Sequence, residues 1–254
     1  MMTKVGVLGC GWLGRPLAEE LLKDGYYLKA SYRNNRPTIS GIEFYKFAIH
    51  EQNIPDAFWD VDSLIIAIPE KNIDAFTNIV SFIINSEIKH IVFCSSTGVY
   101  SPSSNPIYEN SERLENELFH IENLLQNRIG DRLTIARLGG LVGYNREPGR
   151  FFKNQKPIPN PEGVVNLIHR DDAITCLKEI LKHPEKTGAY NLVASAHPKR
   201  LEFYQNRQKH IGLTPSPAGE QDPKSFKKVS SRAIEEDFKI DWKYADLNFP
   251  FQNH

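Results

Sequence analysis

Gly9, Gly11 and Gly14 stand in the spacing G-x-G-x-x-G, after a short apolar run (Val5, Val7, Leu8) and ahead of a helical pattern in which Leu13, Leu17 and Leu21 recur every fourth residue beside Ala18. Residues of this type, so spaced, can hold a dinucleotide. The first glycine permits a tight strand-to-helix bend, the second lets a pyrophosphate approach the backbone, and the third lets helix and strand pack closely. Free amides and the positive dipole end at the start of the helix then face the phosphates. Gly9, Gly11, Trp12, Leu13 and Gly14 are therefore the candidate pyrophosphate-binding positions. The competing reading, a glycine-rich surface turn, gives no reason for a strand and a helix to flank it.

The second place where chemistry is legible is the strand beginning near Tyr26 and its exit loop, LKASYRNNR. In dinucleotide folds an acid about twenty residues beyond the glycines bonds the ribose 2′-hydroxyl and disfavours a 2′-phosphate. No Asp or Glu lies between Gly25 and Gly41, whereas Ser31, Arg33 and Arg36 do. A hydroxyl and guanidinium groups suit a 2′-phosphate. NADP is thus expected in preference to NAD; the alternative is that the arginines are solvated loop residues.

The elements that must position these groups follow in order. Gly41–Ile49 alternates as a third strand, and Ser63–Ile68 is a continuous apolar run of the kind found in a central parallel strand. It stops at Pro69, so Ile68 and Pro69 should lie at its carboxyl edge beside the cofactor. Ile73, Phe76, Ile79, Val80 and Ile83 keep helical spacing, and Ile91–Cys94 is another buried strand. Alternation of this kind predicts an α/β, doubly wound parallel sheet, the NAD(P)-binding Rossmann fold, with a small C-terminal substrate lobe. The expected division is 1–138 plus 164–195 for the dinucleotide-binding domain, and 139–163 plus 196–254 for the substrate or lid lobe. Within the lobe, Gly139–Gly163 carries Tyr144, Arg146, Arg150, Phe151 and Phe152, and the two arginines are either solvated loop residues or candidates for holding an anionic group.

Composition narrows the function classes. The 254 residues include 31 Lys plus Arg and 31 Asp plus Glu, a balance that argues against nucleic acid or an anionic membrane as the main partner. No apolar run is long enough to span a bilayer and no signal-peptide pattern precedes the first strand, which points to the cytoplasm. Cys10, Cys94 and Cys176 have no paired spacing, which points away from a disulfide framework or a metal site. The expected partner is a small-molecule substrate.

Four segments carry a family resemblance. Ile91–Tyr100 (IVFCSSTGVY), Ile135–Gly143 (IARLGGLVG), Asn166–Ala173 (NLIHRDDA) and Lys227–Trp242 (KKVSSRAIEEDFKIDW) resemble, in that order, segments of the extended short-chain dehydrogenase/reductase superfamily, the NAD(P)-dependent epimerases and dehydratases. The chain looks most similar to an atypical bacterial branch of nucleoside-diphosphate-sugar epimerase-like proteins, in which GCGWLG-like and SSTGVY-like turns occur together. The resemblance implies an oxidoreductase or epimerase whose Ser96 touches the reacting hydroxyl or carbonyl. It also implies a Tyr acting as acid or base and a Lys four residues later. Here the sequence departs: none of the ten tyrosines has Lys at that distance, and the helix expected over Glu112–Gln126 carries neither residue. A phenol with a pKa of about 10 is a poor base near neutrality without such a cation.

Tyr100, Tyr108, Tyr144 and His120 are the candidate replacements, and Tyr108, in the loop after the serine turn, is the foremost. Leu114, Leu118, Ile121 and Leu125 make one face of the Glu112–Gln126 helix apolar, a candidate pairing surface for a homodimer or a face spent on its own sheet. The leading expectation is an NADP-dependent epimerase/dehydratase-like oxidoreductase acting on a small polar, sugar-derived substrate. The alternative is a catalytically silent NADP-binding sensor or scaffold.

Overall fold

Val5, Val7 and Leu8 are buried because β1 (Lys4–Leu8) has a strand on each side: β2 (Tyr27–Tyr32) pairs with it in register Val5↔Leu28, and β4 (Ser63–Ile66) in register Val5↔Ser63. Beyond them stand β3 (Ile42–Lys46), paired with β2, and β5 (His90–Ser96), paired with β4. All four pairings are parallel. With β6 (Leu133–Leu138) and β9 (Gly188–Leu192) the seven-stranded order is β3-β2-β1-β4-β5-β6-β9. The order reverses between β1 and β4, the switch point of a doubly wound α/β sheet, outside whose carboxyl ends ligands bind. A second, two-stranded parallel sheet joins β7 (Gly140–Val142) and β8 (Leu167–His169); the sequence pattern gave no sign of it because each strand has three residues. This computed structural model describes residues 2–222 and 225–247.

The helices are α1 (Gly14–Lys23), α2 (Ile73–Ile84), α3 (Glu117–Ile129), α4 (Arg170–Lys182), α5 (Arg200–His210) and α6 (Arg232–Phe238). Among the described residues, no helix is long and apolar enough to cross a membrane. α3 begins later than its apolar spacing suggested because Asn116 Oδ1 accepts the Phe119 N–H at 3.1 Å and sets the cap there. Leu114 therefore precedes the helix and is exposed, while Ile121, Leu125 and Ile129 join the core shared with Phe76, Phe93 and Leu64. That face of α3 is thus turned to its own unit's interior.

The chain divides into two compact units: Met1–Ser95, Glu115–Ala136 and Ile174–Ala189 form the first, and Ser96–Leu114, Arg137–Ala173 and Tyr190–His254 the second. This differs from the expected division in placing residues 96–114, 137–138, 164–173 and 190–195 in the second unit. The first unit's core is aromatic: Phe58 meets Phe47 and Trp59 edge-on at 5.0 and 5.1 Å, and Phe82 stacks on Trp59 at 5.3 Å. The second unit's core gathers Val142, Ile158, Val165, Leu167, Phe203 and Tyr204. Residues 223, 224 and 248–254 of the expected lobe lie outside the described residues.

Candidate functional site

The three glycines do different work. Gly9 has φ +104°, and a Cβ there would stand 2.5 Å from Ile68 Cγ2 and 2.8 Å from the Ala67 carbonyl oxygen. A Cβ on Gly14 would collide with the Gly9 carbonyl oxygen. Both positions are fixed by the packing of the turn against β4 and α1. A Cβ on Gly11 would meet nothing within 4 Å, so no internal contact requires glycine there. What its missing side chain leaves is room over the turn. Leu13, the cap position of α1, offers no side-chain hydrogen bond, and the first turn contains no acid, so neither competes with an anion for that helix end. Leu13 and Gly14 are buried, Trp12 is half-buried, and Gly11 is exposed.

Beside the turn lies a cleft of about 330 Å³ at the carboxyl ends of β1, β2, β3 and β4, wholly within the first unit. It brings together Gly9, Gly11, Ser31, Arg33, Ile68 and Pro69. Ser31 is more than a lining residue: its Oγ accepts the Gly9 N–H at 2.8 Å and its carbonyl oxygen accepts the Cys10 N–H at 2.8 Å. It therefore clamps the glycine turn to the end of β2, with its hydroxyl proton still available to a ligand. Arg36 is not among the lining residues; its guanidinium stands over the Phe44 ring at 5.8 Å. Cys10 also lines the cleft, and burial pushes its thiol up to about 11, which keeps it protonated and unreactive near neutrality.

Tyr32, Phe47, His50 and Glu70 also line the cleft and were missed in the sequence. Glu70 had one available signal, its position directly after Pro69 at the carboxyl end of the central apolar run. The donor set fits a dinucleotide: an open glycine turn, an uncapped helix start and a lining arginine.

The proposed chemical residues belong to the second unit. Ser96 Oγ accepts the Gly98 N–H at 3.1 Å, as a turn serine does, and keeps its own proton to donate. Tyr108 is 44% exposed, and its backbone N–H donates to Ser111 Oγ at 2.8 Å. Two of the other candidate acids, Tyr100 and Tyr144, are committed elsewhere. Tyr100 is fully buried; its hydroxyl donates to Asn191 Oδ1 at 2.6 Å and accepts from Arg137 Nη1 at 2.7 Å. Burial raises the Tyr100 phenol above its ordinary value despite the neighbouring guanidinium. Tyr144 donates to Asp171 Oδ1 at 2.8 Å, with the Arg170 guanidinium 3.7 Å from its ring centroid, and burial and Asp171 raise its pKa. His120 is exposed on α3 beside Phe119. Asp171 and Asp172 sit inside the first turn of α4, and Asp172 accepts the Lys243 and Tyr244 N–H groups at 2.9 Å each.

His169 is buried beneath Tyr244, ring centroids 3.7 Å apart, and its Nδ1 accepts the Asp171 N–H at 3.2 Å. Burial pushes this imidazole down to about 4, against an ordinary value of about 6.5. Between those values the unfolded chain binds more protons than the folded one, so stability falls as pH drops through that window. Melting curves from pH 7 to pH 4 should show this fall, shallower in His169→Gln. His90 and His197, lowered by burial in the same direction, keep it from vanishing. An acid limb identical in the variant would remove His169 from the account.

No family model matches the chain. Protein YeeZ of Escherichia coli, from strains K12 and O157:H7, is 34% identical over 239 residues, covering 84% of this chain and 86% of that protein. Among solved structures, a candidate NAD-dependent epimerase/dehydratase from Methylobacillus flagellatus matches with a TM-score of 0.84 at 19% identity, over 97% of this chain and 95% of that one. The Bordetella bronchiseptica enzyme WbmG, solved with NAD, matches at 0.78 and 14% identity, over 96% and 90%. MoeE5, solved with UDP-glucose and NAD, matches at 0.76 and 15% identity, over 94% and 93%. At these identities what is shared is the fold, the one that the short-chain dehydrogenase/reductase resemblance implied.

Proposed function

We propose that this chain, which belongs to the family of Protein YeeZ of Escherichia coli, is a nicotinamide-dinucleotide-dependent oxidoreductase or epimerase of the short-chain dehydrogenase/reductase type. It prefers NADP to NAD and acts on a small polar, sugar-derived substrate. The observation that carries this reading is the open space over Gly11, for which the fold itself has no use. Gly11, Trp12, Leu13 and Gly14 hold the pyrophosphate at the start of α1, in a turn that Ser31 keeps in place. Arg33, with no acid at the end of β2, supports NADP. When bound, the nicotinamide supplies or accepts a hydride.

The chain's own residues bind the substrate and manage its proton. Ser96 orients the reacting oxygen by donating its hydroxyl proton, and Tyr108 exchanges the proton as acid or base. Segment 139–163 holds the substrate: Tyr144, Asn154, Gln155 and Asn160 all have positive φ there, four of the five such non-glycine residues described, and strained backbone concentrates at ligand-binding segments. A sugar-derived ligand is supported by MoeE5, a protein of this fold solved with UDP-glucose.

The test is NADPH oxidation followed with a panel of aldoses, ketoses and nucleotide sugars. Tyr108→Phe and Ser96→Ala should each lower turnover about a hundredfold or more, the usual contribution of a positioned acid, with NADPH binding unchanged. Turnover equal to that of wild type in both variants would remove this proton path. A second reading, a silent NADP-binding sensor, draws support from the absence of Tyr and Lys on α3 and from the internal bonds of Tyr100 and Tyr144; NADPH bound tightly with no turnover on any carbonyl would select it.

A further inference from the structure

Exit loops of three strands of one sheet bring opposite charges into the cleft. Arg33 follows β2, His50 follows β3 and Glu70 follows β4, and all three line the space that Gly9 and Gly11 border. Glu70 is not a freely rotating surface acid. Its Oε1 accepts the Lys71 N–H at 2.8 Å and the Asn72 N–H at 3.0 Å. Asn72 in turn caps α2, accepting from Asp74 at 2.9 Å and Ala75 at 3.0 Å. The carboxylate is thereby tied to the start of a helix that packs Phe76, Ile79 and Ile83 into the core. The two amides hold the carboxyl below its ordinary range, and the charge of Arg33 acts in the same direction, so it is ionised at neutral pH. Its other oxygen, Oε2, accepts no hydrogen bond from any described residue.

We propose that Glu70 is a specificity-determining residue of this cleft, whose fixed carboxylate offsets Arg33, weakens discrimination in favour of NADP and lets the same site accept NAD. The inference rests on the dinucleotide reading above. NADP and NAD differ by one charged group, the 2′-phosphate. An immobile anion repels that phosphate and neutralises the guanidinium that would bind it, and Oε2 is available to the hydroxyl that stands in its place. The acid that dinucleotide folds carry at the end of the second strand is here supplied from the loop after β4.

The experiment titrates pure wild type, Glu70→Gln and Arg33→Ala with NADPH and with NADH, reading nucleotide fluorescence. Glu70→Gln keeps the Oε1 acceptor for both amides and removes only the charge, so its circular dichroism should match wild type, with a melting temperature lowered only slightly by the weaker neutral acceptor. Its ratio of NADH to NADPH dissociation constants should shift about tenfold toward NADPH, the scale of one removed like charge at a partly exposed site. Arg33→Ala should shift the ratio the other way. A ratio in Glu70→Gln equal to that of wild type, with both nucleotides binding, overturns the role of Glu70 and leaves the dinucleotide site standing. Wild type that binds NADPH and not NADH overturns the role of Glu70 alone, and wild type that binds neither nucleotide overturns both.

Discussion

Gly11→Glu is expected to lose nucleotide binding by about a hundredfold or more, roughly 3 kcal/mol, while melting at the wild-type temperature. The two halves of this result come from one measurement of space. Gly11 is exposed, its φ lies outside the left-handed region, and an added Cβ would touch nothing within 4 Å, so the folded chain tolerates a side chain there. A bound diphosphate does not, because the carboxylate would occupy the room over the turn and repel the phosphates. Gly14→Ala gives the control: its Cβ would meet the Gly9 carbonyl oxygen, so it should lower the melting temperature whether or not a nucleotide is present. Nucleotide binding by Gly11→Glu with wild-type affinity would refute the site.

Arg207→Ala or Glu147→Ala should cost about 3–5 kcal/mol, the usual cost of leaving one member of a buried ion pair unmatched. In a chain of this size that is roughly a 10 °C fall in melting temperature. Arg207 is 3% exposed and Glu147 6%. Arg207 Nε donates to Glu147 Oε1 at 2.9 Å, its Nη2 donates to Oε2, and the Gly149 N–H adds a third bond to Oε1 at 3.1 Å. The pair ties segment 139–163 to α5. Removing either side chain leaves a charge in a space closed to water. The double variant Glu147→Leu/Arg207→Met should lose less than either single variant, since apolar residues of similar volume avoid the unmatched charge. Scanning calorimetry decides the matter, and a single variant within about 1 kcal/mol of wild type would show the pair to be solvated.

Local spacing and order along the chain were enough to read the strand, turn and helix over residues 4–22, the alternation of strands and helices, the absence of an acid at the end of β2 and the lack of a Tyr-Lys pair. Each is a property of neighbouring residues: backbone bends need glycine within a few positions, and one-sided burial leaves its period in the sequence. Contacts between distant residues decided the rest. Ser31, 22 residues from Gly9 in sequence, became the clamp of the glycine turn because β1 and β2 lie side by side. Arg36, three residues past Arg33, turned onto Phe44 and left the cleft lining. Glu70 and His50 entered the cleft because β3 and β4 end at the same edge of the sheet. Glu147 and Arg207 found each other across 60 positions. Charge and hydrogen bonding act over a few ångströms of space, and only the folded chain determines which residues, however far apart in sequence, come within that range.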